Sequence, residues 1–221
     1  METYNGMSFS SQMLEKIKRF GEIEKYKKGS YIFRDKLSAD KIFILLDGKA
    51  SIYKLNDCGQ QRTIFILDGI TLLNEPTNKA TTSSTNCVAF ENCLVLSIGM
   101  KAFFDLMAAD FELTKIVLEQ ITHKTRRMYR QLKNAGSTAK VEKRVAAKLW
   151  KLCRDYGTQT ENGTLINIDI TSVNLADLIG VRRETVSRSF KILQDERLIT
   201  YKNKRICVPN IDNLSKYFKG M

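Results

Sequence analysis

Arg183, Glu184, Ser187 and Arg188 place two guanidinium forks, a carboxylate and a hydroxyl close together in the chain. At about 100° per residue they share a sector of roughly 140° on a helix. Such a set can read base edges. Arginine bonds bidentately to guanine, and a carboxylate accepts from the cytosine amino group. That chemistry requires a helix whose N-terminal end leads into a groove. Val186, Phe190 and Leu193 predict the helix: they recur at spacings of four and three and span about 60° of arc, a stripe that faces a core.

Upstream, Leu175, Ala176, Leu178 and Ile179 form a short apolar segment behind Thr171 or Ser172, either of which can cap a helix start. Gly180 follows where the chain must turn sharply, and glycine enters left-handed torsions without steric penalty. Two helices about such a turn read as a helix-turn-helix. Downstream, LITYKNKRICVP reads as a hairpin with Lys202, Asn203, Lys204 and Arg205 at its tip. A basic hairpin after the second helix fits the winged variant, its tip placed to meet phosphates.

Composition agrees with a polyanionic partner. The chain has 221 residues, a formal charge of +12 and a pI near 9.5, which suit nucleic acid or an acidic membrane surface. Residues 137–221 carry 16 Lys/Arg against 9 Asp/Glu, so the excess is denser where the helix-turn-helix lies. METYNGMSFSSQ lacks the apolar core of a signal peptide and no run approaches transmembrane length, so a cytoplasmic protein with no membrane partner is expected. Cys58, Cys87, Cys93, Cys153 and Cys207 are scattered without CxxC spacing and read as reduced, mostly buried thiols. His123 is the sole histidine, and no zinc site, triad, nucleophile–base pair or phosphate-cradling loop is evident. No enzymatic role is expected.

The rest of the chain must position these residues. Residues 9–20 read as an amphipathic helix with Met13, Leu14, Ile17 and Phe20 on one side. From 22 to about 98, short β-rich runs alternate with turns, among them Asp47-Gly48 and Asp68-Gly69, which signal hairpins and an antiparallel barrel or sandwich. KIFILL is apolar almost throughout and fits a strand covered on both faces. Residues 100–134 return to helical spacing. Ile121, Met128 and Ala135 recur every seven residues beside Leu118, Thr125 and Leu132, a seam suited to a two-helix dimer. Val117 is assigned to that interface, although its own series continues to Lys124 and Gln131; packing of the helix on its own barrel is the alternative. Lys124, Arg126, Arg127 and Arg130 read as a solvated face. Residues 134–138 read as a hinge, KVEKRVAAKLWKLCRDYG as a helix burying Val141, Val145, Leu149 and Leu152, and TLINIDI as a strand. The expected architecture is α+β: a jelly-roll β-barrel sensor over 1–110, a dimerisation helix and hinge over 111–136, and a winged helix-turn-helix over 137–221.

RVAAKLWKL, LADLIGVRRETVSRSFKIL and, more loosely, KKGSYIFR, IFILLDGKASIYKL and CLVLSI resemble the Crp/Fnr family of bacterial transcription regulators over nearly the whole chain. The ending LITYKNKRICVPNIDNLSKYF is similar to the PrfA-like branch. The resemblance implies a homodimer on a palindromic, TGA-like operator in double-stranded DNA, with RNA polymerase as partner if the protein activates. It assigns Glu184, Ser187 and Arg188 to the base-reading trio and Arg183 to the extra arginine of the cyclic-AMP-binding members. Arg182 stands where many members have a capping serine and is expected on phosphate, with Thr171, Ser172, Lys191, Lys202, Lys204 and Arg205. The effector residues depart from the family. Asn74 and Glu75 replace its Gly-Glu, and Ser83-Ser84 stand at its Arg-Ser pair, so a cyclic phosphate loses its bidentate partner. Glu75, Ser83, Ser84 and Arg127 are the candidate pocket for an unidentified small-molecule effector. No cysteine precedes Cys58 to hold an iron–sulfur cluster, and the one histidine lies in the long helix, away from a haem position in the barrel. No cofactor is expected. The competing function is a small-metabolite or cyclic-nucleotide receptor acting mainly through protein contacts.

Overall fold

The computed structural model describes residues 9–77, 82–135, 139–202 and 205–220. The chain divides into two compact units, one of residues 4–58 and 63–135, the other chiefly of residues 136–221.

The first unit begins with α1 (Ser11–Lys18), whose N-cap Ser10 accepts from the Met13 N–H at 3.2 Å. Leu14 and Ile17 are buried, but Phe20 lies beyond the helix end and is 57% exposed, contrary to the expected stripe. Eight strands follow: β1 (Gly21–Tyr26), β2 (Tyr31–Phe33), β3 (Lys41–Asp47), β4 (Lys49–Leu55), β5 (Gln61–Asp68), β6 (Thr71–Leu72), β7 (Asn86–Ala89) and β8 (Cys93–Gly99). They form two four-stranded sheets in the orders β1-β8-β3-β6 and β2-β7-β4-β5. This is a jelly roll of two separate sheets in place of a closed barrel.

Both Asp-Gly turns do something other than close a hairpin. Asp47-Gly48 carries the chain from β3 in one sheet to β4 in the other, and Asp68-Gly69 returns it from β5 to β6. Gly48 has φ +83°, and a Cβ there would run into the Asn92 carbonyl, so the corner needs glycine. β3 is apolar on both faces. Ile42 and Ile44, with Leu72, Leu96 and Ile98, pack under α1 and two further helices, α2 (Met100–Ala109) and α3 (Phe111–Ala135). Leu45, with Val95, Cys93 and Leu67, packs between the sheets. Each such side chain, fully buried, contributes about 1.5–3 kcal/mol.

The helical stretch after β8 is broken at Asp110, whose extended backbone ends α2 and whose carboxylate accepts from the Leu113 N–H at the start of α3. That bond, and Lys16 at 3.2 Å, hold its carboxyl below the usual carboxylate range. Along α3, Leu113 and Val117 are buried against the first sheet. Val117 is therefore not available to a partner helix: it is wholly buried in its own unit's core. Ile121 is half-buried against the same core. Leu118, Met128, Tyr129 and Leu132 lie outside it, 43–69% exposed. The Ala135 side chain lies outside the described residues.

The second unit contains α4 (Val141–Tyr156), β9 (Gly157–Thr160), β10 (Gly163–Ile166), α5 (Ser172–Ile179), α6 (Arg183–Asp195), β11 (Thr200–Lys202), β12 (Arg205–Val208) and α7 (Ile211–Lys219). Its sheet has the order β11-β12-β10-β9. Val145, Leu149 and Leu152 of α4 are buried as their spacing predicts, whereas Val141 is only half-buried. TLINIDI is strand only to Ile166; Ile168 and Ile170 remain buried but leave the ladder. β9 and α7 go beyond the sequence reading. α7 is capped by Asn210, whose Oδ1 accepts from the Asp212 and Asn213 N–H groups, and it buries Leu214 beside α4.

Candidate nucleic-acid interface and sensor interior

The helix-turn-helix is built from local bonds. The Thr171 hydroxyl oxygen accepts from the Asn174 N–H at 3.2 Å, while Asn174 Oδ1 accepts from the Thr171 N–H at 2.9 Å. This is a reciprocal capping box with asparagine at its third position. The Thr171 hydroxyl also donates to Asn174 Oδ1 at 2.7 Å. Its proton is engaged inside the cap and is not free for the phosphate contact expected of Thr171. At the other end of α5, Gly180 adopts φ +75°, and its N–H and that of Val181 both donate to the Ala176 carbonyl. A side chain at this turn would be strained.

Arg182 is the N-cap of α6 and makes no side-chain capping bond. Val186, Ser189, Phe190 and Leu193 are buried, with the Ser189 hydroxyl donating to the Thr185 carbonyl. Arg182, Arg183, Glu184, Ser187, Arg188 and Lys191 are all exposed, so α6 with its N-cap presents all four residues expected to read bases and two of the cations expected on phosphate. The Phe190 ring meets Tyr201 of β11 at 5.1 Å, which ties α6 to the wing. Lys202 and Arg205 are exposed and directly paired across the β11–β12 ladder. Lys204 lies outside the described residues.

The candidate effector residues lie in the first unit. Glu75 and Ser84 are exposed. Ser83 is tied into its surroundings: its N–H donates to the Leu37 carbonyl, its carbonyl accepts from the Lys36 N–H, and its hydroxyl donates to the Thr85 carbonyl. The Ser84 carbonyl accepts from Lys54 Nζ. Asn74, at the family's glycine, is buried and structural. Its Oδ1 accepts from the Phe43 N–H and its Nδ2 donates to the Lys41 carbonyl, so the amide continues the edge of β3 as a strand would.

The inward face of α3 turns polar after Val117. Gln120 Oε1 accepts from the Leu72 N–H at 2.9 Å and the Thr71 hydroxyl at 3.3 Å. One turn on, Lys124 Nζ donates to the Leu72 carbonyl at 2.7 Å, and Gln131 Nε2 donates to the Ile64 carbonyl. Arg127 is half-buried with its guanidinium 4.9 Å above the Phe65 ring. Lys124 is thus no part of a solvated face. Burial pulls its ammonium down to about 8, against the Glu75 carboxylate, which favours the charged form. Gln120 and Lys124 continue the spacing of Leu113 and Val117, the one signal in the sequence that they point inward.

The thiols follow their burial. It pushes Cys87 and Cys93 up and Cys153 up to about 12, which leaves them poor nucleophiles. Cys58 is exposed and Cys207 half-buried. Among the described residues, no helix is long and apolar enough to cross a membrane.

A jelly-roll unit and a winged helix-turn-helix on one chain define a DNA-binding regulator. Residues 23–110 match the cyclic nucleotide-binding domain and residues 143–217 match the Crp-like helix-turn-helix domain. The chain is 25% identical over 205 residues to the global nitrogen regulator of Synechococcus elongatus, covering 89% of this chain and 90% of that protein. Over 198 residues it is 22% identical to the CRP-like cAMP-activated global transcriptional regulator of Mycobacterium tuberculosis, covering 86% and 85%. The solved structure of the c-di-GMP responsive global regulator CLP of Xanthomonas campestris matches with a TM-score of 0.82 at 16% identity, over 91% of this chain and 100% of that one. The chain belongs to the Crp/Fnr family of transcription regulators.

Proposed function

We propose that the protein is a homodimer that reads a palindromic, TGA-like operator with one α6 from each protomer. The observation that carries this reading is α6 itself: an exposed Arg183, Glu184, Ser187 and Arg188 above a buried Val186, Phe190 and Leu193. Ser172, Arg182, Lys191, Lys202 and Arg205 hold the DNA backbone. Recovery of bound duplexes from a random pool tests the reading; two half-sites spaced by about one helical turn, roughly 34 Å, are expected. Unrelated recovered sequences would reject it. Lys202→Ala is expected to weaken operator and random duplex alike and to reduce the salt slope by about one. A change in base preference instead would assign Lys202 to readout.

Dimerisation rests on the stripe of Leu118, Met128, Tyr129 and Leu132 that α3 leaves exposed along about four turns. The paired change Leu118→Glu and Leu132→Glu is expected to yield a monomer by light scattering and to abolish high-affinity binding to the two-site operator. A dimer that survived both charges would place the interface elsewhere. The sensor unit answers to a signal other than a cyclic nucleotide, a reading supported by the serines in place of the phosphate-gripping arginine and by Asn74, whose amide is committed to β3. Of the relatives named above, one is cAMP-activated and one c-di-GMP responsive, so the effector differs within this fold. The protein works in the cytoplasm, through RNA polymerase if it activates, and no catalytic role is assigned to it.

A further inference from the structure

The start of α6 has no side-chain cap, although α5 and α7 in the same unit are capped by Thr171 and Asn210. Its position therefore depends on the turn that precedes it. The last four carbonyls of a helix have no partner within the helix. In α5 the Ala176 carbonyl is taken by Gly180 and Val181, and the final one, that of Ile179, accepts from Arg144 Nη2 at 2.8 Å. Arg144 is half-buried in the first turns of α4, directly before the fully buried Val145 and Ala146. A guanidinium on a helix C-terminal carbonyl makes a charge-assisted bond and meets the negative end of the helix dipole. The contact joins the framework helix to the residue immediately before the turn glycine. Three residues after Gly180 comes Arg183, the first base reader.

We infer that Arg144 is a positioning residue for base readout. By holding the Ile179 carbonyl it sets where the turn ends, and so the depth and angle at which α6 offers Arg183, Glu184 and Arg188. It lies on α4, one helix away from the reading helix, and acts through the turn with no contact to a base. The inference rests on the reading of α6 as the base-reading helix.

The test uses the full chain, the operator duplex recovered by selection, and a random duplex of equal length. Arg144→Met keeps an unbranched apolar stem and removes the guanidinium; Arg144→Lys keeps the charge and an N–H donor group. Arg144→Met is expected to lower operator affinity by at least about tenfold, to leave random-duplex affinity within about threefold, and to relax base preference at the pair read by Arg188. Arg144→Lys is expected to recover part of that preference. Three results would overturn the inference: equal weakening on both duplexes with a salt slope lower by about one, which marks a phosphate contact; unchanged operator preference; or failure of both variants to melt cooperatively, which marks a purely structural bond. Arg188→Ala in the same assay separates the two claims. If Arg188→Ala leaves the operator preference intact, the reading of α6 fails; if it relaxes preference while Arg144→Met does not, only the positioning role fails.

Discussion

Replacing Arg188 with alanine is expected to lower operator affinity by about 1–3 kcal/mol per half-site and to relax preference at a single base pair. On a two-fold site the effect acts twice, so the dimer loses about 2–6 kcal/mol, or roughly 30-fold to 10⁴-fold in affinity. The size follows from geometry. Arg188 is exposed one turn into α6 and can present two parallel N–H donors to guanine, and no neighbouring side chain on the helix supplies a second fork at that depth. Glu184 lies four residues earlier on the same face, where the proposed reading has it accept from the paired cytosine. Random-sequence affinity should fall only by the loss of one cation, because phosphate contacts carry that term. Titration of the selected duplex and of one changed at that pair measures the difference. A wild-type protein that prefers the selected duplex and an Arg188→Ala protein that keeps the same preference would remove Arg188 from readout.

The second large effect lies in the sensor unit. Between about pH 8 and pH 10.5 the wild type is expected to gain stability relative to Lys124→Met, while the raised thiols of Cys87, Cys93 and Cys153 take the same stability from both proteins above about pH 9. Burial holds the folded Lys124 ammonium down to about 8, below its ordinary 10.5, with Glu75 opposing and Arg127 reinforcing the shift. Between those values the unfolded chain binds the proton and the folded chain does not, so the Lys124 contribution to unfolding free energy increases with pH. Below pH 8 both states are charged and the full cost of the buried ammonium is present, on the order of 3 kcal/mol. Methionine removes that cost and fills the same space, but orphans the Leu72 carbonyl that Lys124 now satisfies at 2.7 Å, which costs about 1–3 kcal/mol. The net change at neutral pH is therefore small, and the pH slope is the sensitive measurement. Denaturant unfolding at pH 7, 8.5 and 10 checks it. Parallel pH curves for the two proteins would mean that Lys124 is solvated in the folded state.

The two halves of the chain differ in how much of this can be read without coordinates. In the helix-turn-helix, every determinant lies within about 25 residues: Thr171 and Asn174 cap α5, Gly180 turns the chain, and Val186, Phe190 and Leu193 orient α6. Caps, glycine torsions and helical period are local effects, so residue types and spacing determined both the elements and which face of α6 is exposed. The strands of the jelly roll were equally legible as strands, and the unbroken apolar run of β3 correctly implied cover on two sides.

What tertiary structure decided is which partner meets which face. Asp47-Gly48 is as good a turn for crossing between sheets as for closing a hairpin, and only the assembled sheets, with β3 beside β8 and β6 and β4 beside β7 and β5, decide for the crossing. On α3, two series compete for the core: Leu118 and Leu132, with Met128 and Tyr129 beside them, and Val117, Lys124 and Gln131. Hydrophobicity alone favours burying the first. The first sheet instead takes the second, because Leu113 and Val117 complete its core and the backbone groups of Leu72, at the sheet edge, need the amide of Gln120 and the ammonium of Lys124. An unpaired backbone N–H or carbonyl is invisible in a sequence, since its partner is fixed only when distant segments meet. That is why the exposed polar face of α6 could be read from the residues alone, while the buried lysine of the jelly-roll unit could not.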